Sequence, residues 1–322
     1  MLHMMLHTYT FKLNYLFNPK FDVFRFIDLA AEAGFSGVAL SGYAPQYLEL
    51  SGGSPAHLER VRKRFEADGF LVDLDNASTE PELLTGMINL AERLGARVVR
   101  TFTRPPGTPA ERIAKATRDL ARVAPLAERA QIRIVLENHE DLTGEEIATV
   151  LRALDNPWIG AVYDYGNSMA LLEEPMVCLD ALLPWIYTAH LKDHVMIPAG
   201  PNGMDKPSVL GVPIGQGNIP VVEITQRLIA AGVERACFQS VWGYHIPVID
   251  HRGGAALDQG VFTYAHPPYD PARCCVDARA RATSGGAAEI CRLEEQAYWS
   301  GVAWLKQAFD RAGIELARPL KG

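Results

Sequence analysis

Four residues of ligand-forming type stand where apolar runs of the sequence end: Glu137 after IRIVL, Asp164 after IGAVY, His190 within IYTAHLKD, and Gln239 after RACF. Two carboxylates, an imidazole and an amide oxygen make a hard, mixed nitrogen and oxygen donor set. Such a set suits Mn²⁺ first, with Mg²⁺, Co²⁺ and Zn²⁺ as alternatives, and does not suit metals selected by thiolates. A cation held there would polarise a carbonyl and make a proton on the neighbouring carbon removable. His139 follows Glu137 by two positions, on the same face of an extended strand, and Lys192 stands in the same relation to His190. A neutral imidazole is a competent general base, and a lysine stabilises negative charge on a substrate oxygen.

Each residue alone has a plainer account. A strand-end carboxylate caps a loop, His190 hydrogen-bonds within a core, and Lys192 pairs with Asp193 or Glu137. The four donors make a site only if the strands that carry them converge, so the weight falls on the fold.

The chain alternates short β-branched runs with longer helical patterns. The expected strands are 5–9, 35–40, 70–74, ARVVRTF, IRIVLEN, 159–164, 186–193 and 235–241. Between them, Ser54 with Pro55, Thr108 with Pro109 and Glu111, and Thr143 with Glu146 read as helix starts, and Gly34 as a stop. Eight strands separated by crossover helices close most naturally into an α/β fold of the (β/α)8 TIM barrel type, one domain over 1–322. A doubly wound open sheet is the competitor, weakened by the lack of GxGxxG or GxxxxGK[ST]. Closure brings the C-terminal strand ends together, and Glu137, Asp164, His190 and Gln239 then face one volume.

A long excursion rich in Gly, Pro and Ala separates the eighth strand from the final helix, which is expected at EEQAYWSGVAWLKQAFDRAG. Residues 242–289 read as a lid or a partner-binding insertion. A shorter excursion, VMIPAGPNGMDKPSVLGVPIGQGNIP, follows strand seven. Within these, Trp242, Tyr244 and His245 would stack on a sugar or anchor the loop. GVPIGQG would cradle an anion or serve only backbone conformation, and Asp73, Asp75 and Asn76 would bind hydroxyls or cap a loop.

Composition narrows the class. The 322 residues are 48% hydrophobic with a formal charge of -7 and no basic run, which argues against nucleic acid as a partner. Five cysteines without a CxxC pair fit a reduced, cytoplasmic protein. No stretch of about 20 apolar residues marks a membrane anchor. A sugar-binding module without catalysis would not need the converging donors, and a metal-dependent endonuclease would want further histidines and a basic face.

The segments FDVFRFIDLAAEAGFSGVAL, LAERLGARVVR, IVLENH, VYDYGN, AHLKD and GVPIGQGNIP together resemble the sugar phosphate isomerase and epimerase family, the xylose-isomerase-like TIM barrels. The resemblance implies Glu137, Asp164 and His190 as metal ligands. It also implies a fourth ligand, normally a glutamate that in epimerases carries a proton, at the position of Gln239. Glutamine ligates through its carbonyl oxygen but cannot accept and return a proton. Two-base epimerisation is then replaced by one-base chemistry with His139. That combination is similar to the large subunits of C-glycoside deglycosidases and implies lyase action on a 3-oxo-glucoside: C2 proton abstraction and expulsion of the C1 aglycone. It also implies a small partner subunit, with a homo-oligomer as a further expectation. A keto-sugar isomerase or epimerase is the alternative.

Overall fold

The structure, a computed structural model, describes residues 1–42, 53–104, 106–200 and 204–320. Residues 201–203 of the shorter excursion lie outside the described residues.

Local signals in the sequence act where they stand. Ser54 Oγ accepts the His57 N–H at the start of the helix Pro55–Asp68. Thr108 with Glu111 and Thr143 with Glu146 form complete capping boxes ahead of Pro109–Ala130 and Gly144–Leu154. Gly69 and Gly95, with φ of 66° and 77°, end the helices Pro55–Asp68 and Pro81–Leu94 in the left-handed conformation that residues with a Cβ rarely adopt.

These helices separate the parallel strands β1 (His3–His7), β2 (Gly37–Ser41), β3 (Leu71–Asp75), β4 (Val98–Thr101), β5 (Arg133–Glu137), β6 (Ile159–Asp164) and β7 (Ile186–Leu191). After two further strands, β8 (His194–Ile197) and β9 (Ser208–Gly211), and the helix Val221–Ala230 comes β10 (Arg235–Phe238). β1 to β7 and β10 pair in chain order, and β10 pairs back to β1, so the sheet closes into an eight-stranded barrel. The expected (β/α)8 architecture is therefore the observed one.

Alternation along the strands sets what faces inward. Ile134 and Leu136 of β5 pack outward into the core shared with the helices, and Val135 joins Val98 and Val162 inside the barrel. The inner layer at the C-terminal end is polar instead, with Asp75, Arg100, Glu137, Asp164 and His190 all buried.

Several strand limits differ from expectation. β1 spans His3–His7 rather than 5–9, because the Tyr9 N–H turns back to His7 Nδ1 and begins a 3₁₀ turn over Thr8–Phe11. β7 and β10 end at Leu191 and Phe238, earlier than expected, although the Gln239 N–H still donates to Leu191 O at 3.0 Å. Between β6 and β7 the register slips: Ala161 faces Ile186 and Val162 faces Thr188, leaving Tyr187 as the extra residue of a bulge. The slip sets His190 opposite Asp164.

The two excursions carry structure of their own. β8 and β9 join β11 (His245–Pro247) in a three-stranded antiparallel sheet. Trp242, Cys275 and Ala278 pack with Leu13, Ile290 and Leu293 in a second apolar cluster. The final helix starts at Ala287, seven residues before the expected Glu294, because Ile290 and Leu293 are needed in that cluster. All five cysteines are free and buried. Among the described residues no helix is long and apolar enough to cross a membrane.

Candidate active site

Glu137 ends β5, Asp164 ends β6 and His190 lies on β7, so three neighbouring strands deliver three donors. One oxygen or nitrogen from each lies within 4.8 Å of the others, and all three side chains are buried. Glu137 Oε1 is 2.7 Å from His190 Nδ1, and Asp164 Oδ2 is 3.9 Å from the same nitrogen. The second Asp164 oxygen, Oδ1, accepts the Gly166 and Asn167 N–H groups, which fixes the carboxylate.

His7, Asp75 and His190 form a second cluster of donor type. It is less suited to a cation. The Tyr9 N–H donates to His7 Nδ1, so the proton of that ring sits on Nε2 and is given to Asp75 Oδ2 at 2.5 Å. No lone pair of His7 remains. His7 instead holds Asp75, whose carboxyl is lowered to about 2 against the cost of burial by His7 and Arg100.

Gln239 is buried and lines a cavity together with Lys192 and Asn167, and its Oε1 accepts no hydrogen bond. A buried amide oxygen without a donor is costly unless something else satisfies it. Glu137, Asp164 and His190 are a donor set that fits a hard divalent cation, and the orphaned Gln239 oxygen is a hard donor of the same kind. Two protein cations share the carboxylates: Arg100 pairs with Glu137 Oε2, and Lys192 Nζ lies 2.7 Å from Asp164 Oδ2 and 2.9 Å from Asn167 Oδ1. Lys192 thus pairs with neither Asp193 nor Glu137, the partners considered from sequence.

A cavity of about 240 Å³ opens above these residues. His139 and Lys192 both line it, beside Asp75, Arg100 and Asn167. The His139 ring is stacked on Phe102, with centroids 4.0 Å apart and planes 7° apart, and its side chain remains 25% exposed. Burial lowers its pKa to about 3, with Arg100, Lys192 and Arg104 adding to that effect and Glu137 opposing it. The imidazole is therefore neutral at pH 7.

Glu140 also lines the cavity, a role the sequence reading did not give it. Its Oε1 accepts the Tyr244 hydroxyl at 2.8 Å, and Oε2 is 3.9 Å from His139 Nδ1. Burial raises its pKa, opposed by Tyr244 and Lys192. The signal was present in ENHE, but a residue one beyond His139 faces the wrong way on a continuing strand. β5 stops at Glu137, and the His139 N–H turns back to Glu137 O, which lets both side chains reach one cavity.

Other residues singled out in the sequence divide. Asp75 is in the cavity wall, whereas Asp73 lies deeper in the barrel against Arg235 at 3.2 Å and is raised by burial to about 6. Asn76 Nδ2 donates to Ser78 O and caps the loop. GVPIGQG does cradle a carboxylate, but it is the chain's own. Asp193 accepts from the N–H groups of His194, Gly215, Gly217 and Ile219, and a Cβ on Gly217 would stand 2.1 Å from Asp193 Oδ1.

A family model described as "Xylose isomerase-like TIM barrel" matches residues 27–257. Among curated proteins, the chain is 21% identical over 227 residues to the uncharacterized protein YihM of Escherichia coli, covering 70% of this chain and 68% of that one. It is 29% identical over 168 residues to 3-oxo-isoapionate decarboxylase of Pectobacterium atrosepticum, covering 52% of this chain and 59% of the relative, which is less than two thirds of its length. Among solved structures, L-ribulose 3-epimerase aligns with a TM-score of 0.60 at 14% identity, over 97% of this chain and 96% of that one.

Proposed function

Because the chain belongs to the xylose isomerase-like TIM barrel family, we propose that it is a divalent-metal-dependent lyase of oxidised sugars, one that takes the C2 proton of a 3-oxo-glucoside and expels the substituent at C1. The observation that carries this reading is the meeting of His139 and Glu140 on one cavity, beside three converging donors, with an amide and no carboxylate at Gln239. Epimerisation needs a proton carrier on each face of one carbon, and Gln239 cannot be one. Elimination needs one group to take a proton and another to give one.

Glu137, Asp164, His190 and Gln239 would hold Mn²⁺, or Mg²⁺, Co²⁺ or Zn²⁺ in its place. The bound cation supplies Lewis acidity to the substrate's carbonyl oxygen. His139, fixed in orientation by Phe102, receives the C2 proton. Lys192 and Arg100 face the oxygen on which negative charge grows, and in a buried site each such contact acts in a low dielectric. The C2–H electron pair becomes the C1–C2 double bond, the bond from C1 to the leaving group breaks, and Glu140 supplies the proton the leaving group takes. Acid and base are set apart by their surroundings, His139 held neutral by burial and by nearby cations and Glu140 held towards its protonated form by burial. On this reading residues 242–289 wall the leaving-group side and offer the surface for a small partner subunit.

Loss of carbon dioxide from a 3-oxo acid is the second reading. The relative named as a 3-oxo-isoapionate decarboxylase favours it, as does Arg104, a further cation on the cavity wall able to hold a carboxylate.

The test is incubation of the Mn²⁺-loaded protein in D₂O with a 3-oxo-C-glucoside and, separately, with a 3-oxo sugar acid, followed by mass spectrometry. Released aglycone is the expected result. Deuterated but intact sugar would replace the lyase by an isomerase or epimerase, and carbon dioxide from the acid alone would establish the second reading.

A further inference from the structure

A second pocket, of about 210 Å³, lies between the turn after β1 and the start of the 242–289 excursion. It shares Tyr9, Val241 and Tyr244 with the reaction cavity, so the two pockets adjoin. The residues assigned above to proton transfer and to the cation are not in its walls.

Two of its walls are positively charged. The half-buried Lys12 ammonium donates to Tyr9 Oη at 2.6 Å and lies 4.6 Å and 5.1 Å from the ring centroids of Tyr9 and Tyr244. Arg279, on the short helix Ala278–Arg281, faces the same pocket and acts repulsively on Lys12. Among the described residues neither cation forms an ion pair.

Among the described residues the acid in the pocket wall is Glu294, which acts attractively on Lys12 but takes its hydrogen bonds from the turn. Glu294 accepts the N–H groups of Leu13 and Asn14 and the Asn14 amide, each at 2.8 Å, and so fastens the turn to the final helix. The indole of Trp242 is likewise fixed, donating to Pro271 O. The half-buried Lys12 and the exposed Arg279 line one pocket and repel each other, while Glu294 and Glu140 act attractively on Lys12. An anion placed between Lys12 and Arg279 offsets their repulsion and gains two charge-assisted hydrogen bonds.

We propose that this pocket is an anion-recognising substrate subsite, in which Lys12 and Arg279 bind a carboxylate or phosphate group carried on the leaving group of the oxidised sugar. The assignment of that group to the leaving side rests on the lyase reading. The pocket's preference for an anion rests only on its own residues. His245, whose pKa burial and Lys12 lower, lines the same pocket.

The experiment has two arms, both on the full chain. In the first, binding of benzoate, phenyl phosphate and uncharged benzyl alcohol is measured by calorimetry on wild type, Lys12→Met and Arg279→Gln. At least one anion is expected to bind about 10-fold more tightly than benzyl alcohol, each variant losing most of that preference. The tighter of the two anions identifies the group recognised. Equal binding of all three probes, or a preference kept in both variants, would overturn the proposal. In the second arm, kcat/KM is compared for 3-oxo-glucosides whose leaving groups differ only by a carboxylate. Wild type is expected to favour the charged substrate by about 10-fold and both variants to lose that ratio. Turnover of neither substrate would refute the lyase reading while the binding arm still decided the subsite.

Discussion

Glu137 and His190 are 53 residues apart in the chain and sit two strands apart in the barrel, yet Glu137 Oε1 and His190 Nδ1 stand 2.7 Å from each other, with Asp164 on the strand between. Each partner contributes an atom that a divalent cation would claim. Among the described residues, the ion pairs of Asp75, Glu137 and Asp164 with Arg100 and Lys192 leave these five groups with an excess of negative charge at formal charges. A divalent ion held there would reverse that excess.

Gln239 is the residue to vary first for metal binding. Gln239→Glu is expected to tighten Mn²⁺ binding by about 10-fold or more, since a carboxylate replaces a neutral oxygen, and Gln239→Leu to weaken it. Calorimetric titration and metal content decide this. Unchanged affinity in both variants would remove Gln239 from the ion.

His139→Asn should lower C2 deuterium exchange by about 10²- to 10⁴-fold, the usual contribution of a general base. Metal content should stay near that of wild type, because His139 is stacked on Phe102 and is outside the donor trio. Loss of the metal together with the activity would contradict that division of roles.

Glu140→Gln should slow substrates with poor leaving groups far more than those with good ones, because only the former need the proton it gives. Rates across a series of leaving-group pKa values make the comparison. A uniform loss across the series would leave Glu140 a structural partner of Tyr244.

Asp193→Ala should destabilise the protein by about 3 kcal/mol or more, since four backbone N–H groups lose a charged acceptor in one step. Urea denaturation measures it. A loss below about 1 kcal/mol would mean the 215–219 turn holds without the carboxylate.

Stability should also depend on pH through Glu294, which burial raises to about 7 while its hydrogen bonds oppose the shift. The folded chain then holds a proton that the unfolded chain releases near its ordinary pKa of about 4.3. This contribution is fully present below about pH 4, declines as pH rises towards 7, and is gone above it. Wild type should therefore lose stability over that window more steeply than Glu294→Gln. Parallel profiles for the two would show that Glu294 does not take up a proton on folding.

The barrel was readable from the chain because its cues are local. Apolar runs with period two, capping boxes at Thr108 and Thr143, and stops at glycine each depend on a few neighbouring residues. Asp164, His190 and Glu137 could be named for the same reason, since each ends or nearly ends an apolar run. Asp193 reads from the sequence only as a candidate partner of Lys192, because its observed role depends on glycine N–H groups more than 20 residues away.

The sequence by itself determined which residue types stand at the strand ends, and hence the donor chemistry available to the family's fold. Tertiary structure decided their use. Closure of the sheet set the distances among Glu137, Asp164 and His190, and the slip at Tyr187 set His190 opposite Asp164. The Tyr9 N–H withdrew His7 from ligation, and the end of β5 brought Glu140 to the same cavity as His139. These outcomes depend on register, tautomer and chain reversal, which arise between segments distant in sequence. Local periodicity carries no information about them.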